Sequence, residues 1–471
     1  MPSQARAPAA AGRFYPADPV ALRALVDRLL AEAPVDPVAG RAVAALLPHA
    51  GYDYSGPAAA RACRALAGLA PEIVAVVGTA HFATGPGFFL DAHAAFRTPL
   101  GEVPVAQEEA RLLLKAGAGV AESVQAHAEE HSVETVLPFL QRTWKNFRLL
   151  PLVASSRSLT EAQRCGRALA GTLKGKKALI IAASDLSHFP PLDVAQQVDP
   201  ASLESFLTLD PDFLWRTEAA LMALGAPGLQ CTWCGLAAAA AVQTAAAALG
   251  ADWGEALACT NSADLGGDER RTVGYGAALL LARGRRKPWP SKELSAAEKT
   301  ELLALARAAV RARVRRDDVR PRLFGRARFN LPAAVFVTWT RGDGELRGCI
   351  GTTQPRDTLG NAVARFAALS ATEDPRFPPV DEGELAGLRA EISILSAPQP
   401  ARPEDIRPGL GVIVGRGRQQ GLFLPQVWEK LPDRDAFMAH LCEHKAGLPA
   451  DAWKQGGVEL STFTVTAFQE P

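Results

Sequence analysis

The chain has 471 residues, enough for about two to four domains that each bury a hydrophobic core. Its 51 Lys and Arg residues nearly balance its 50 Asp and Glu residues, which argues against nucleic acid or an anionic membrane as the main partner. The seven cysteines form an odd and sparse set, unlike a secreted disulfide framework.

The amino-terminal stretch MPSQARAPAAAGRFYPADP lacks the apolar core that a signal peptide requires. The most hydrophobic stretch begins at Gly235, but it is mostly Ala and is interrupted by Gln243 and Thr244. We therefore expect it to pack inside the protein rather than cross a membrane. The sequence predicts a soluble, cytoplasmic protein whose partner is a small-molecule substrate, with no nucleic acid and no membrane.

Between about residues 40 and 190, short apolar runs alternate with stretches of helical periodicity. The apolar runs are typical of strands covered on both faces, and they span residues 41–48, 72–80, 147–155 and 177–184. Apolar residues recur every three or four positions, as in amphipathic helices, in residues 55–69, 131–144 and 158–173. This alternation predicts an α/β domain with a parallel or mixed central sheet flanked by helices.

A basic, Pro-containing stretch at residues 282–299 separates the two halves of the chain. Within it, Ser295 precedes Glu298 by three residues, and this pair predicts a capping box that opens a helix. Residues 333–352 then indicate strands with a hairpin turn at 341–345, hence an α+β domain with an antiparallel sheet. We therefore predict a first domain at 1–285, a linker at 286–295 and a second domain at 296–471.

Polar residues follow the predicted strands of the first half. His49 comes after the first apolar run, His81 after the second, and Asp185 and His188 after a later one. Because ligands bind beyond the carboxyl ends of the strands in open α/β sheets, we expect these side chains to converge in one crevice. A single His after a strand is usually a hydrogen-bonded structural residue, but three at equivalent positions favour a shared site.

Two further pairs have spacings that suit zinc, namely Cys231 with Cys234 and His127 with His131. A long stretch of chain separates the pairs, whereas closed zinc sites usually organise small modules. A structural zinc site is therefore an alternative interpretation. Thioredoxin-like redox chemistry is another, although the two cysteines follow no clear strand.

Seven motifs together resemble the Memo family: AGRFYP (11–16), PHAGYDYSG (48–56), GTAHF (78–82), EEHSVETVLPFLQ (129–141), SDLSHF (184–189), CG (234–235) and VGYGA (273–277). The resemblance covers roughly residues 5–283. It implies the fold of class III extradiol dioxygenases, the LigB-like non-haem iron enzymes that open catechol-type rings. By this resemblance the metal-facing residues are His49, His81 and Cys234, and His188 corresponds to the acid/base of the dioxygenases.

The residue types at these positions bear on the metal and its chemistry. An oxygenase iron is commonly held by two His and one carboxylate, whereas Cys234 offers a thiolate, so Fe(II) is expected while Cu and Zn stay open. His188 is expected to deprotonate a phenol-like substrate, and Asp185 to orient a His. Tyr54 is a further catalytic candidate, expected to donate a hydrogen bond. Further pocket candidates are Tyr52, Glu130, His131 and Glu134, and for the last three a structural helix start is equally open.

A second pattern resembles the AMMECR-type domain over roughly residues 296–468, with LRGCIGT at 346–352 as its most specific stretch. Arg347 beside Cys349 is expected to lower the pKa of the thiol, which would make Cys349 a nucleophile. Most single cysteines in strands are packing residues, so both interpretations stay open. A polar cluster or a structural salt bridge is expected near the thiol, formed by Glu373, Asp374 and Arg376.

The two families also occur as separate proteins encoded beside a radical S-adenosylmethionine (SAM) enzyme, in a grouping called the AmmeMemoRadiSam system. The fusion implies a common substrate and a radical SAM partner. The leading hypothesis is an iron-dependent, extradiol-dioxygenase-type enzyme that acts on a small molecule, aromatic in the dioxygenase case. The alternatives are a retired dioxygenase fold that binds a redox metal or a partner, and a transferase or hydrolase centred on Cys349.

Overall fold

The computed structural model describes residues 5–34, 38–82, 85–284, 293–317 and 319–470. These residues form two compact units. Unit 1 contains the described residues up to 284 together with Leu323–Leu331, and unit 2 contains the rest. The sequence prediction assigned all of 296–471 to the second domain, so the grouping of Leu323–Leu331 with unit 1 differs from it. The predicted linker, 286–295, lies outside the described residues up to position 292.

The strands of unit 1 are, in chain order, β1 (Arg41–Leu47), β2 (Ile73–Thr79), β3 (Phe88–Leu90), β4 (Ala95–Thr98), β5 (Gly101–Pro104), β6 (Val120–Glu122), β7 (Arg148–Ala154), β8 (Ala178–Ala183), β9 (Trp253–Asn261) and β10 (Gly274–Ala282). Eight of them form one sheet with the order β6-β3-β7-β2-β8-β1-β10-β9, and β4 pairs with β5. The central strands β7, β2, β8 and β1 are parallel, while β10 and β9 continue the sheet antiparallel. The predicted mixed sheet is therefore confirmed.

The helices of unit 1 are α1 (Pro19–Glu32), α2 (Tyr52–Ala65), α3 (Gln107–Lys115), α4 (Val124–Ala128), α5 (Leu137–Thr143), α6 (Leu159–Leu173), α7 (Leu192–Leu207), α8 (Pro211–Met222) and α9 (Leu236–Ala248). Successive strand residues point to opposite faces of the sheet. On β2, Val74 and Val76 pack into the core beneath α1, α2 and α5, while Ala75 and Val77 pack beneath α6 and α9. Burial on both faces explains why the central strands are almost uninterrupted apolar runs.

The alanine-rich stretch that the sequence places inside the protein is α9, which is buried along most of its length. It lies against α6, where a Cβ added to Gly166 would collide with the carbonyl oxygen of Ala241. Small side chains thus allow the two helices to approach closely. Among the described residues, no helix is both long and apolar enough to cross a membrane.

Unit 2 is α+β, as predicted. Its helices are α10 (Ala296–Arg315), α11 (Leu359–Thr372) and α12 (Arg434–His440), and its strands are β11 (Ala334–Arg341), β12 (Leu346–Gly351), β13 (Leu388–Leu395), β14 (Gln399–Pro400), β15 (Gly411–Arg416), β16 (Gln419–Phe423), β17 (Glu459–Phe463) and β18 (Val465–Gln469). The strands form two antiparallel sheets, β12-β11-β13-β18 and β14-β17-β15-β16.

Local sequence features fix the elements of unit 2. The capping box of Ser295 and Glu298 is formed at the start of α10. The turn between β11 and β12 uses Gly344 at φ 87°, a conformation that favours glycine. Trp339 of β11 donates its indole N–H to the carbonyl of Ala367 at 3.0 Å, which holds α11 against the first sheet.

Candidate metal centre

The side chains predicted to converge at the carboxyl ends of the parallel strands do so. His49 follows β1, His81 follows β2 and Asp185 follows β8, each at the second position after its strand. The His49 and His81 rings lie 5.3 Å apart between centroids and stand nearly perpendicular. The register of the central strands thus brings these three side chains to one edge of the sheet.

His49 is held in one orientation by two hydrogen bonds. Its Nδ1 donates to the carbonyl oxygen of Ala183 at 2.9 Å, and its backbone N–H donates to Asp185 at 2.9 Å. Because a carbonyl can only accept, Nδ1 carries a proton, and Nε2 is the ring nitrogen that faces the site. That nitrogen lies 3.4 Å from the Sγ atom of Cys234.

His81 and His131 are both oriented by the buried carboxylate of Glu130. The carboxylate accepts the His81 backbone N–H at 2.6 Å and lies 2.9 Å from its Nδ1, which leaves Nε2 of His81 free for a metal. It also accepts the backbone N–H of His131 at 2.8 Å. The imidazoles of His81 and His131 are stacked, with centroids 4.6 Å apart.

His131 was predicted only as a pocket residue, but the structure places it among the possible metal ligands. Two sets of possible ligand atoms share one histidine, with all atoms of a set within 4.8 Å of one another: His49, His81 and His131, and His49, Asp185 and Cys234. The first set offers imidazole nitrogens alone, the second offers an imidazole, a carboxylate oxygen and a thiolate, and the predicted trio of His49, His81 and Cys234 is divided between them.

Cys234 lies directly before Gly235, the residue that precedes α9. A Cβ on Gly235 would crowd the Ser184 side chain, so only glycine lets the chain bring the thiol this close to the end of β8. The sulfur accepts the backbone N–H of Asp185 at 3.1 Å. Burial alone would raise the pKa of this thiol, but the neighbouring His49 and His188 hold it well below its usual value.

The pKa values of the neighbouring histidines shift upward, whereas that of the thiol shifts downward. Burial alone would lower the pKa of His49, but Cys234 and Asp185 raise it to about 10. Burial would also lower the pKa of His81, but Cys234 and Glu130 raise it to about 9. This cluster therefore requires positive charge, which protons supply in the metal-free chain and which a divalent cation would supply by displacing them. The donor set fits iron, copper or zinc.

His188 lies beside the thiolate. Its Nε2 is 3.9 Å from the carboxylate of Asp185 and has no hydrogen-bond partner within the part of the chain that the structure describes. Burial alone would lower the pKa of His188, but Cys234 and Asp185 raise it. Burial raises the pKa of Asp185 itself. A ring nitrogen without a protein partner next to the ligand set can exchange a proton with a bound molecule.

Two predicted pocket residues, Tyr52 and Glu134, have their polar groups engaged away from this centre, whereas the role of Tyr54 stays a prediction. Tyr52 is buried in the core and donates its hydroxyl to the carbonyl of Thr135 at 2.5 Å. Glu134 is fully buried and accepts the Tyr15 hydroxyl at 2.6 Å and an Arg6 N–H at 2.7 Å, so it anchors the amino-terminal segment. Tyr54 is 40% exposed on the first turn of α2. The structural alternative is therefore the correct interpretation of Glu134.

Phe14 contacts the centre although no role was predicted for it. Its ring stacks on the imidazole of His131 with centroids 4.4 Å apart, and its carbonyl accepts the backbone N–H of Tyr52 at 2.9 Å. The residue lies in AGRFYP, one of the motifs that carry the family resemblance. The motif signalled that the segment matters, but only the fold shows that it packs on a histidine.

The zinc alternative fails because its residues lie in different surroundings. His127 is buried and contacts the carbonyl of Phe89 through Nε2 at 2.9 Å, while burial keeps the pKa of His127 low. His131 instead joins the His49 set. Neither His127 nor Cys231 belongs to a ligand set found among the described residues.

In unit 2 the structure contradicts the activated-thiol expectation for Cys349. Burial raises the pKa of this thiol. Arg347 occupies a bulge of β12 and pairs with Glu384 at 2.9 Å instead of acting on the sulfur. The nearest polar contact of the sulfur is the hydroxyl of Thr338 at 3.2 Å.

The predicted polar cluster beside Cys349 forms in part. Asp374 accepts the backbone N–H of Cys349 at 2.8 Å and pairs with Arg376 at 2.6 Å. Glu373 instead pairs with Arg313 on α10. Asp374 and Arg376 therefore form a salt bridge that contacts the backbone of Cys349 and not its thiol, which fits the structural interpretation.

Two surface cavities lie away from the histidines. One, of about 600 Å³, sits at the amino ends of β2 and β7 and includes Glu72 and Arg148. The other, of about 660 Å³, lies in unit 2 beside Arg313 and Asp317. Neither cavity is lined by the possible metal ligands found among the described residues. The candidate centre is therefore identified by its donor atoms and not by the size of a cavity.

Family models match both parts of this chain, and related proteins match it as well. A family model described as Memo-like protein matches residues 6–279, and one described as AMMECR1 matches residues 303–468. MEMO1 family protein MK0963 of Methanopyrus kandleri is 35% identical over 292 residues, which cover 59% of this chain and 99% of that protein. A MEMO1 family protein of Aquifex aeolicus is 33% identical over 277 residues, with 59% and 99% covered.

Two solved structures are also similar. The uncharacterized protein PH0010 from Pyrococcus horikoshii has 35% identity and a TM-score of 0.34, over 36% of this chain and 90% of that chain. The uncharacterized protein JW3007 from Escherichia coli has 16% identity and a TM-score of 0.38, over 51% and 100%. The family matches confirm both resemblances noted in the sequence. The chain therefore belongs to the Memo family, and an AMMECR1 domain forms its second part.

Proposed function

We propose that unit 1 is an iron-dependent enzyme of the extradiol-dioxygenase type that acts on a small molecule. Membership of the Memo family supports an extradiol-dioxygenase-like fold. The observation that carries the proposal is that the His49 imidazole lies at one sheet edge beside both the His81 imidazole and the Cys234 thiolate. Two fixed imidazoles and one anionic ligand leave positions open for other molecules.

In this proposal His49 and His81 hold the ion through Nε2, and Cys234 holds it through sulfur. Bound iron supplies the one-electron chemistry with O₂ that side chains lack. The Ala183 carbonyl and the Glu130 carboxylate keep the two rings aimed by bonding Nδ1. Copper and zinc are the alternative ions that the same donors would accept.

His188 is the proposed proton acceptor for a phenol-type hydroxyl. Its Nε2 lacks a hydrogen-bond partner among the described residues, so that atom is available to take the proton. Asp185, 3.9 Å away, stabilises the resulting imidazolium. The proton thus moves from the substrate oxygen to a ring nitrogen held next to a buried carboxylate.

The test begins with protein purified without oxygen. Iron content should be close to one per chain in the wild type and should be lost in the His49→Ala, His81→Ala double variant. Oxygen uptake over a panel of catechols should then depend on His188 and fall by roughly 100-fold or more in His188→Ala. Iron retained by the double variant would refute the ligand assignment.

A second candidate function is favoured by the thiolate itself, which replaces the carboxylate of typical oxygenase centres. In this case unit 1 binds a redox metal, or a partner, without turnover. Stoichiometric iron combined with no oxygen uptake on any phenol of the panel would support it. The fusion further leads us to propose that unit 2 serves the same pathway, with a radical SAM enzyme as partner.

A further inference from the structure

The segments that flank β8 and β10 place an arginine beside the candidate centre. His188 and Phe189 follow β8, and Arg271 and Thr272 precede β10, which runs antiparallel to its neighbour and so begins at the same sheet edge. Phe189 donates its N–H to the carbonyl of Thr272 at 2.7 Å, and Thr272 donates to Pro190 at 2.8 Å. These bonds hold the segment that carries Arg271 against the segment that carries Phe189.

Phe189 has an unusual backbone conformation. Its φ is 68°, in the left-handed region that bulky side chains rarely adopt and that is most often found at functional sites. The conformation directs its ring between two groups. The His188 ring lies 5.4 Å away between centroids, and the Arg271 guanidinium carbon lies 3.9 Å from the Phe189 centroid.

The Arg271 guanidinium has no ion pair or hydrogen bond to another described residue. Its neighbour Arg270 differs, because Arg270 forms two hydrogen bonds with the carboxylate of Asp268, at 3.0 and 3.1 Å. Stacking on an aromatic ring orients a guanidinium while leaving its N–H donors free. Arg271 is thus oriented but lacks an anion.

A second aromatic ring lies beside His81 and His131. Phe82 is 49% exposed, and its ring centroid lies 6.3 Å from that of His81 and 6.4 Å from that of His131. An exposed ring at this position offers a flat apolar face to a ligand ring. The edge therefore presents a stacking surface beside His81 and His131, and an oriented cation on Phe189, whose ring neighbours His188.

We propose that Arg271 binds the carboxylate of a small aromatic acid whose ring lies over the histidine cluster. The guanidinium takes the carboxylate through paired N–H donors, and Phe82 takes the ring. The inference deepens the proposed function by giving its substrate a chemical class. The binding itself does not require iron.

The test measures binding of benzoate, with benzamide as its neutral counterpart, to the full-length chain by calorimetry. Benzoate should bind roughly 10-fold or more tightly than benzamide. Arg271→Met should remove that preference and leave benzamide binding unchanged, whereas Arg270→Met, the matched control, should keep it. Arg271→Lys keeps the charge but loses the paired N–H donors, so it should retain part of the preference. It also provides the test if Arg271→Met does not fold.

The outcomes separate the subsite from the iron proposal. Equal benzoate binding by the wild type and Arg271→Met would overturn the subsite, and so would an equal loss in Arg270→Met. The His49→Ala, His81→Ala variant should still prefer benzoate, and loss of the preference there would show that the ion alone binds the carboxylate. A wild-type chain that lacks iron but prefers benzoate through Arg271 would refute only the iron proposal.

Discussion

Glu130→Gln is expected to weaken metal binding although Glu130 is not a ligand. One carboxylate oxygen contacts Nδ1 of His81 at 2.9 Å and accepts the backbone N–H groups of His131 and Ser132 at 2.8 and 2.9 Å. The other accepts the His81 N–H at 2.6 Å. Gln has nearly the same shape, but its NH₂ group would face an N–H donor at either oxygen position.

The size of the effect follows from these contacts. Burial alone would raise the pKa of Glu130, but His81 holds it well below its usual value, so a charged acceptor is lost. A hydrogen bond to a charged group contributes about 1.5–3 kcal/mol. Loss of a partner that orients a metal-ligating His typically costs about 10- to 100-fold in metal affinity. We therefore expect a 10- to 100-fold weaker affinity, or about 1.4–2.8 kcal/mol.

Competition with a coloured chelator measures this affinity on the full-length chain loaded with cobalt or zinc. Glu129→Gln provides the matched control, since Glu129 is the exposed neighbour of buried Glu130, and it should bind like the wild type. Circular dichroism should show that both variants are folded. Equal affinities of Glu130→Gln and Glu129→Gln would refute the idea that this carboxylate orients His81.

Phe14→Leu, which removes the ring stacked on His131, should weaken metal affinity several-fold in the same competition assay, whereas Phe14→Tyr should retain it. Asp374→Asn should destabilise the chain by about 2 kcal/mol at neutral pH in urea unfolding, because a charged acceptor is lost. Arg376 and the Cys349 N–H lower the pKa of Asp374 below 3.8. Its stabilisation is therefore complete above that pH, and the difference between the two proteins should shrink as pH falls towards the lowered pKa.

The strand ends of unit 1 could be predicted because burial on both faces makes central strands visible in the sequence. Once β1, β2 and β8 are recognised, the parallel register brings His49, His81 and Asp185 to one edge, whatever the loops do. The capping box before α10 is local in the same way. Features that depend on a few neighbouring residues, or on strand order, could thus be predicted from the sequence.

The roles of residues that depend on the path of a loop could not be predicted from the sequence. Glu130 and Glu134 stand four residues apart in one motif, yet the first orients His81 and the second anchors Arg6. The loop from 129 to 136 is not the regular helix that its periodicity predicts, since α5 begins only at Leu137. Similarly, the bulge at Arg347 could not be foreseen from residue spacing.

The charges around the candidate centre give a reason for proposing sulfur as its anionic ligand. Both oxygens of Glu130 are used by N–H groups and by the His81 ring, so this carboxylate cannot turn to an ion without breaking those contacts. Asp185 likewise accepts the His49 backbone N–H through one oxygen. Cys234 accepts a backbone N–H at 3.1 Å and lies 3.5 Å from the Ser184 hydroxyl, and its large sulfur could also bind an ion without giving up these contacts. In the proposed site the carboxylates fix the imidazoles and the most polarisable anion would face the ion, an arrangement that favours the softer transition metals over magnesium or calcium.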